Sequence, residues 1–278
     1  MLDKTMATRE LKLGPMELRL LFTLEEEGKS IFRSDDAKRI LRSSEASVKN
    51  VLYRLRKKGR IEEIERGKYL LFPAKSGYEG KWSEVPFLIA SELVSPYYIG
   101  FWSALNYWGM TEQVPSVTFV VTTKRKKKKE LTYGPINFEF ITLSKKKFFG
   151  AVEEQIDGKK FNISSREKTV VDCLLYPQYC GGIDEVIKGI WEEQNELDFK
   201  KMLDYSKKIG VEVVMRRLGY ILEMLEIKNE VTEKIVATKP KGFMWLDPTG
   251  PKKISEYSKR YGLIINRTKK DMTSWMGY

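Results

Sequence analysis

The chain has 278 residues, 42% hydrophobic and 32% charged, a composition that suits a globular protein long enough for two domains. Fifty lysines and arginines against 38 acids give a formal charge of +12, which favours a polyanionic partner: nucleic acid first, an acidic membrane surface second. There is no histidine, which excludes histidine triads, histidine acid–base chemistry and histidine-ligated metals. Carboxylate–metal nuclease or nucleotidyltransferase chemistry stays open on composition alone. The lysine- and glutamate-rich balance is also that of heat-adapted proteins, so charge by itself does not establish nucleic-acid binding.

No apolar run is long enough to span a bilayer, and the first residues lead into a charged stretch instead of a signal-peptide core; a cytoplasmic protein without a membrane partner is expected. Cys173 and Cys180 sit in apolar surroundings and read as two ordinary cytosolic thiols, with no metal and no cofactor implied.

The first helical signal covers residues 15–28. Pro15 can open it, Leu18, Leu21, Phe22 and Leu24 supply an apolar face, and Gly28 ends it. Ser34 is expected to cap a short second helix, with Asp35 and Asp36 in its first turn and Ala37, Ile40 and Leu41 inside. After a turn at Arg42 and Ser43, a third helix is predicted over 44–58, capped by Ser44 or Ser43 and stopped by Gly59. Its apolar positions Val48, Val51, Leu52 and Leu55 follow helical spacing and face inward. The opposite face carries Glu45, Ser47, Lys49, Asn50, Tyr53, Arg54 and Lys57, with Ser44 at its start, the donors and acceptors that base edges and phosphates require. From residue 61 the period becomes strand-like, and a hairpin over 61–72 has Arg66, Gly67 and Lys68 at its tip. Helix, short helix, long helix and basic hairpin is the order of a winged helix-turn-helix, so residues 1–75 are expected to bind double-stranded DNA through helix 44–58 and the wing. Residues 43–75 carry nine cations against four acids, which agrees.

Residues 76–81 read as a linker, and a second domain, 82–278, is expected beyond it. Helices are predicted at 85–93 and 100–108, and strands at 116–122 and 136–143. Between those strands Lys124, Arg125, Lys126, Lys127, Lys128 and Lys129 form a cationic run, expected as a hairpin tip: a solvated loop or a set of phosphate contacts. Ser164 and Glu167 have capping-box spacing, with Val170, Val171 and Leu174 as the apolar stripe behind them. Glu167 and Asp172, five apart, do not share a helix face and propose no metal site. Helices follow at 183–193, 198–207 and 211–225, then short strands at 242–246 and 261–266 around the turn Asp247–Pro251. The fold class is therefore α+β: a winged helix followed by a mixed α/β domain with a helical C-terminal part.

Several stretches resemble the AbiEi-type antitoxins and related regulators of viral-defence systems. They are Tyr97–Gly109 with Thr111–Pro115, Ser165–Asp172, Arg217–Glu223, Leu246–Pro248 and Tyr261–Asn266, in the family's order behind a winged helix. The resemblance implies a winged helix that binds an operator near its own promoter. It also implies a second domain that counteracts a nucleotidyltransferase-like toxin. Transcription machinery and a second copy of the chain are the other candidate partners. A stand-alone activator or repressor is the alternative reading. A carboxylate-dependent nucleic-acid enzyme finds no clustered acids to support it, and no catalytic residues are assigned.

Overall fold

The computed structural model describes residues 13–72, 86–133, 136–156 and 158–276. The chain divides into two compact units, residues 1–85 with 132–135 and residues 86–131 with 136–278. The linker expected at 76–81 and the domain start expected at 82 lie outside the described residues. Among those described, no helix is long and apolar enough to cross a membrane.

In the first unit, α1 (Pro15–Glu26), β1 (Ile31–Arg33), α2 (Ser34–Leu41), α3 (Glu45–Lys57), β2 (Ile61–Glu65) and β3 (Lys68–Leu71) form a winged helix-turn-helix. The strand order β1-β3-β2 makes a three-stranded sheet. The first of these strands was not expected from the sequence. Three residues carry too little alternation to announce it, and it is fixed by Phe32 stacking on its cross-strand partner Tyr69, ring centres 5.5 Å apart. The inward face of α1 is Leu20, Leu21 and Leu24, while Phe22 is exposed and Leu18 only half-buried, a rotation of the expected face. The second helix also begins differently. Arg33 is its cap position, and the Arg33 N–H donates to Asp36 at 2.9 Å, leaving Ser34 as the first helical residue.

The second unit is a six-stranded mixed sheet with helices on both faces. It runs α4 (Pro86–Leu93), β4 (Tyr97–Ile99), α5 (Phe101–Tyr107), β5 (Val117–Thr122), β6 (Glu130–Tyr133), β7 (Ile136–Thr142), β8 (Ala151–Ile156), β9 (Lys159–Ser164), α6 (Arg166–Leu175), α7 (Ile183–Glu192), α8 (Phe199–Ile209), α9 (Glu212–Met224), α10 (Val231–Val236), β10 (Met244–Trp245), β11 (Glu256–Ser258), β12 (Leu263–Ile265) and α11 (Lys269–Met272). The large sheet has the order β6-β7-β5-β4-β9-β8, and the last three strands form a separate sheet, β10-β12-β11. Phe119 and Val121 of β5 join the core built with α5 to α9, and α4 packs against β4, β5 and β9.

One expectation is overturned here. β5 and β7 are parallel neighbours, in register from Val117↔Asn137 to Thr122↔Thr142. Parallel neighbours cannot be joined by a hairpin, because the chain must return along the full strand length before it re-enters. Residues 124–129 are therefore not a hairpin tip but part of that return, which continues into the edge strand β6.

The stretches that carried the family resemblance interlock inside this unit. α6 is capped by Ser165, which accepts from the Lys168 N–H at 3.3 Å, one residue later than the Ser164–Glu167 spacing implies. Ser164 is instead hydrogen-bonded to Thr169 at 2.6 Å. Lys168 and Asp172, one turn apart on α6 and with no exposed side-chain surface, pair with each other. Tyr98 of β4 donates its hydroxyl to Asp172 at 2.8 Å, and the Phe149 ring lies 4.7 Å from the Lys168 ammonium. Burial pushes the lysine down and the carboxyl up, against their mutual attraction. On α9, Arg216 donates to the carbonyls of Lys241, Gly242 and Gly262, and Arg217 to those of Leu174 and Trp245. These two guanidiniums clamp the C-terminal strands to the helix. Gly219 is needed where Tyr261 crosses α9, since a Cβ there would lie 2.6 Å from the ring. Asp247 is buried, accepts from Thr249 and Arg267, and is bracketed by Asn266, which accepts from the Asp247 N–H and donates to its carbonyl.

Removing one member of the buried pair leaves the other charged and unpaired. Lys168→Met should lower unfolding stability by about 3–5 kcal/mol, whereas Lys168→Met combined with Asp172→Asn, which keeps an acceptor for Tyr98, should recover most of that loss in a denaturant titration.

Candidate nucleic-acid interface

Helix α3 presents the face that its sequence implies. Val48, Val51, Leu52 and Leu55 are buried, and Ser44, Lys49, Asn50, Tyr53, Arg54 and Lys57 are exposed, with Ser47 half-buried. Ser44 is the cap, its hydroxyl oxygen accepting from the Ser47 N–H at 3.3 Å. Arg42, in the left-handed region at φ 49°, makes the sharp turn that sets α3 against α2. Lys58 and Gly59 end the helix, Gly59 at φ 63°.

The polar face is only loosely committed to the protein itself. Lys49 pairs with Glu45 at 2.9 Å, but both side chains are largely exposed, so the pair is weak and readily exchanged for a phosphate or base contact. Lys57 lies over the Tyr53 ring, 5.0 Å from its centre. Asn50 lies between them in sequence on the exposed face, with a side chain able to donate and accept at once.

Reasoning from the sequence missed the residue that anchors this face. Glu17 of α1 is 2% exposed, and Lys58 donates to it at 2.6 Å while the Arg54 Nε lies 3.4 Å away. The Gly14 N–H also donates to it at 2.6 Å. Burial pushes the Glu17 carboxyl upward, but the Lys58 and Gly14 hydrogen bonds and the neighbouring cations outweigh it, so it stays below its ordinary value. The available signal was an acid at the third position of a helix opened by proline, where it can reach back to the cap N–H.

At the wing, Gly67 takes φ 71°, and its carbonyl accepts from the Ser34 N–H at 2.9 Å while its own N–H donates to Glu63 at 3.1 Å. Arg56 of α3 pairs with the same Glu63 at 2.7 Å, so α3, the wing and α2 are tied together. Arg66 is exposed at the tip, but Lys68 is 8% exposed; it lies in strand β3, opposite Arg33 of β1, and does not present its charge at the tip as expected.

In the second unit, Lys124, Arg125, Lys127, Lys128 and Lys129 are exposed. Lys126 is half-buried, donates to the Leu93 carbonyl at 2.9 Å and lies over the Phe140 ring. It holds the return loop against the sheet. Arg125, Lys126, Lys127 and Lys129 line one shallow cationic recess with Thr142. Among the described residues, no group of three or more acids or cysteines could hold a metal ion, and Cys173 and Cys180 are free and buried.

Residues 19–71 match the family model described as "Transcriptional regulator, AbiEi antitoxin". The match falls within the first unit and agrees with the resemblance read from the sequence. Over the whole chain, the fold is similar to the crystal structure of the RV2827C protein from Mycobacterium tuberculosis, with a TM-score of 0.69, 12% identity and 96% of each chain covered. No curated protein matches the chain.

The lowered Glu17 carboxyl makes stability depend on pH in a definite direction. Its contribution is fully present above the ordinary carboxylate value near 4.5 and is lost as pH falls through the lower folded value. Glu17→Gln should therefore be less stable than the parent at pH 7, by about 1–3 kcal/mol, and should show a flatter decline below pH 4.5 in unfolding titrations.

Proposed function

We propose that this protein is a sequence-specific DNA-binding transcription regulator of the AbiEi antitoxin type, acting in the cytoplasm by binding and not by catalysis. The observation that carries the reading is the exposed polar face of α3, held in place by buried Glu17, within the segment that matches the regulator family. In this reading α3 enters the major groove. Asn50 and Arg54 read base edges, Ser44, Ser47, Lys49, Tyr53 and Lys57 hold phosphates or bases, and Arg66 at the wing tip touches the backbone. The exposed cations of 124–129 are further candidates for phosphate contacts.

The second unit is proposed to hold the antitoxin activity, with a nucleotidyltransferase-like toxin as its partner. That part rests on the motif resemblance, because the family match ends at residue 71. The same fact favours the second reading, a stand-alone activator or repressor. Co-expression separates the two: an antitoxin relieves the growth defect caused by the product of the adjacent gene, and a stand-alone regulator has no toxic neighbour.

Asn50→Ala or Arg54→Ala should cost about 1–3 kcal/mol of discrimination against non-operator duplex. Footprints and affinities unchanged by both substitutions would remove α3 from the reading of sequence. Lys127→Gln with Lys128→Gln should leave operator preference intact and flatten the salt dependence of binding by roughly two units if both touch phosphate.

A further inference from the structure

The small sheet β10-β12-β11 exposes a row of rings on its outer face. Strand register sets Trp245, Ile264 and Tyr257 side by side across the three strands. Leu263 and Ile265, which flank Ile264, are buried in the core, so the row containing Ile264 faces outward. Phe243, two residues before Trp245, continues that face, and its ring meets the Tyr257 ring edge-on at 5.2 Å. Phe243 is 47% exposed and Tyr257 51%, a large area of aromatic surface for a sheet of this size. The Lys252 ammonium sits 5.0 Å from the centre of the Trp245 ring and is steadied by the Pro248 carbonyl at 2.9 Å.

The charge around these rings is predominantly positive, with Glu256 the one exposed acid among residues 239–260. Residues 239–260 contain six cations and two acids. One of the acids, Asp247, is buried and satisfied, and Lys241, Lys252, Lys253 and Lys259 are exposed. A face of exposed rings bordered by lysines is complementary to a ligand that offers flat π-faces and a polyanionic backbone together. Duplex DNA hides its base faces within the stack, and an acidic protein surface offers charge without a series of planar groups. We propose that this face binds single-stranded nucleic acid, its bases stacking on Phe243 and Tyr257 and its phosphates meeting Lys252 and Lys253. This activity is separate from duplex reading by α3 and does not depend on it.

The test uses the full-length protein and a fluorescently labelled twelve-nucleotide thymidine or uridine strand, followed by anisotropy, with an operator duplex in parallel. Phe243→Ala and Tyr257→Ala should each weaken single-strand binding by about tenfold, the scale of a single base–ring stack, and leave duplex binding unchanged. Tyr257→Phe should bind within about twofold of the parent, because stacking needs the ring and not the hydroxyl. Lys252→Gln with Lys253→Gln should reduce the salt slope by about 0.7 for every phosphate that these lysines neutralise. Asn50→Ala should leave the single-strand affinity unaltered while affecting the duplex. Thermal melts equal to the parent's certify that the surface variants are folded. The proposal is overturned by a parent that does not bind the single strand, by ring variants that bind it as well as the parent, or by ring variants that lose single strand and duplex in equal measure. Intact oligonucleotide binding together with loss of an acidic protein partner would also overturn it, and would assign the face to protein docking.

Discussion

A lysine and an aspartate with no exposed surface can share an apolar interior only if each offsets the other's charge. Lys168 and Asp172 meet that requirement on α6, the helix against which α5, α7, α8 and α9 all pack. The third participant, Tyr98, comes from β4 at the middle of the large sheet, so the polar contact fixes the rotation of α6 relative to the strands. Apolar packing alone tolerates sliding, whereas a buried charge pair does not, because a shift of one residue would strand a charge in low dielectric. The carbonyl clamps of Arg216 and Arg217 apply the same constraint to the other end of the unit and hold the small C-terminal sheet to α9. The stretches that resemble the antitoxin family thus act largely as internal fastenings.

The first unit repeats this logic on a smaller scale. Glu17, buried under the end of α3, holds Lys58 and draws in Arg54, while Glu63 joins α3 to the wing. The polar face of the helix is presented on a rigid support, yet most of its side chains have weak or exposed partners. Such side chains surrender little when they exchange an internal contact for a phosphate or a base. Arg54 belongs to both sets: its charge helps to hold Glu17 ionised, and over half of its side chain remains open to solvent.

Charge is distributed unevenly in its purpose. Lys126 lies within a run of six cations but serves as a strut, bonded to the end of α4 and resting on Phe140. Lys68, beside the wing tip, is folded inward. Lys252, by contrast, covers the Trp245 ring on an open face. Lysine density in the sequence therefore overstates some surfaces and understates others. The long aliphatic stem allows the same residue to brace an interior edge or to extend a charge into water.

What the sequence determined by itself is local. The spacing of Val48, Val51, Leu52 and Leu55, a serine cap at 43 or 44, the stop at Gly59 and the alternation of the wing define their elements locally and need no distant partner. The same periods announced α7, α8 and α9 within one or two residues. The tertiary structure decided whatever depended on a partner far along the chain. Glu17 is a core residue only because Lys58, 41 residues later, is brought to it. Phe22 is outside and Leu20 inside because α2 and α3 select the face of α1 that they cover. The parallel pairing of β5 with β7 turned an expected hairpin tip into a return loop, with β4 and β6 on their outer sides. The alignment of Trp245, Ile264 and Tyr257 joins three segments whose order in space no periodicity encodes. Local pattern states which side of an element is apolar; only the pairing of elements states what that side meets.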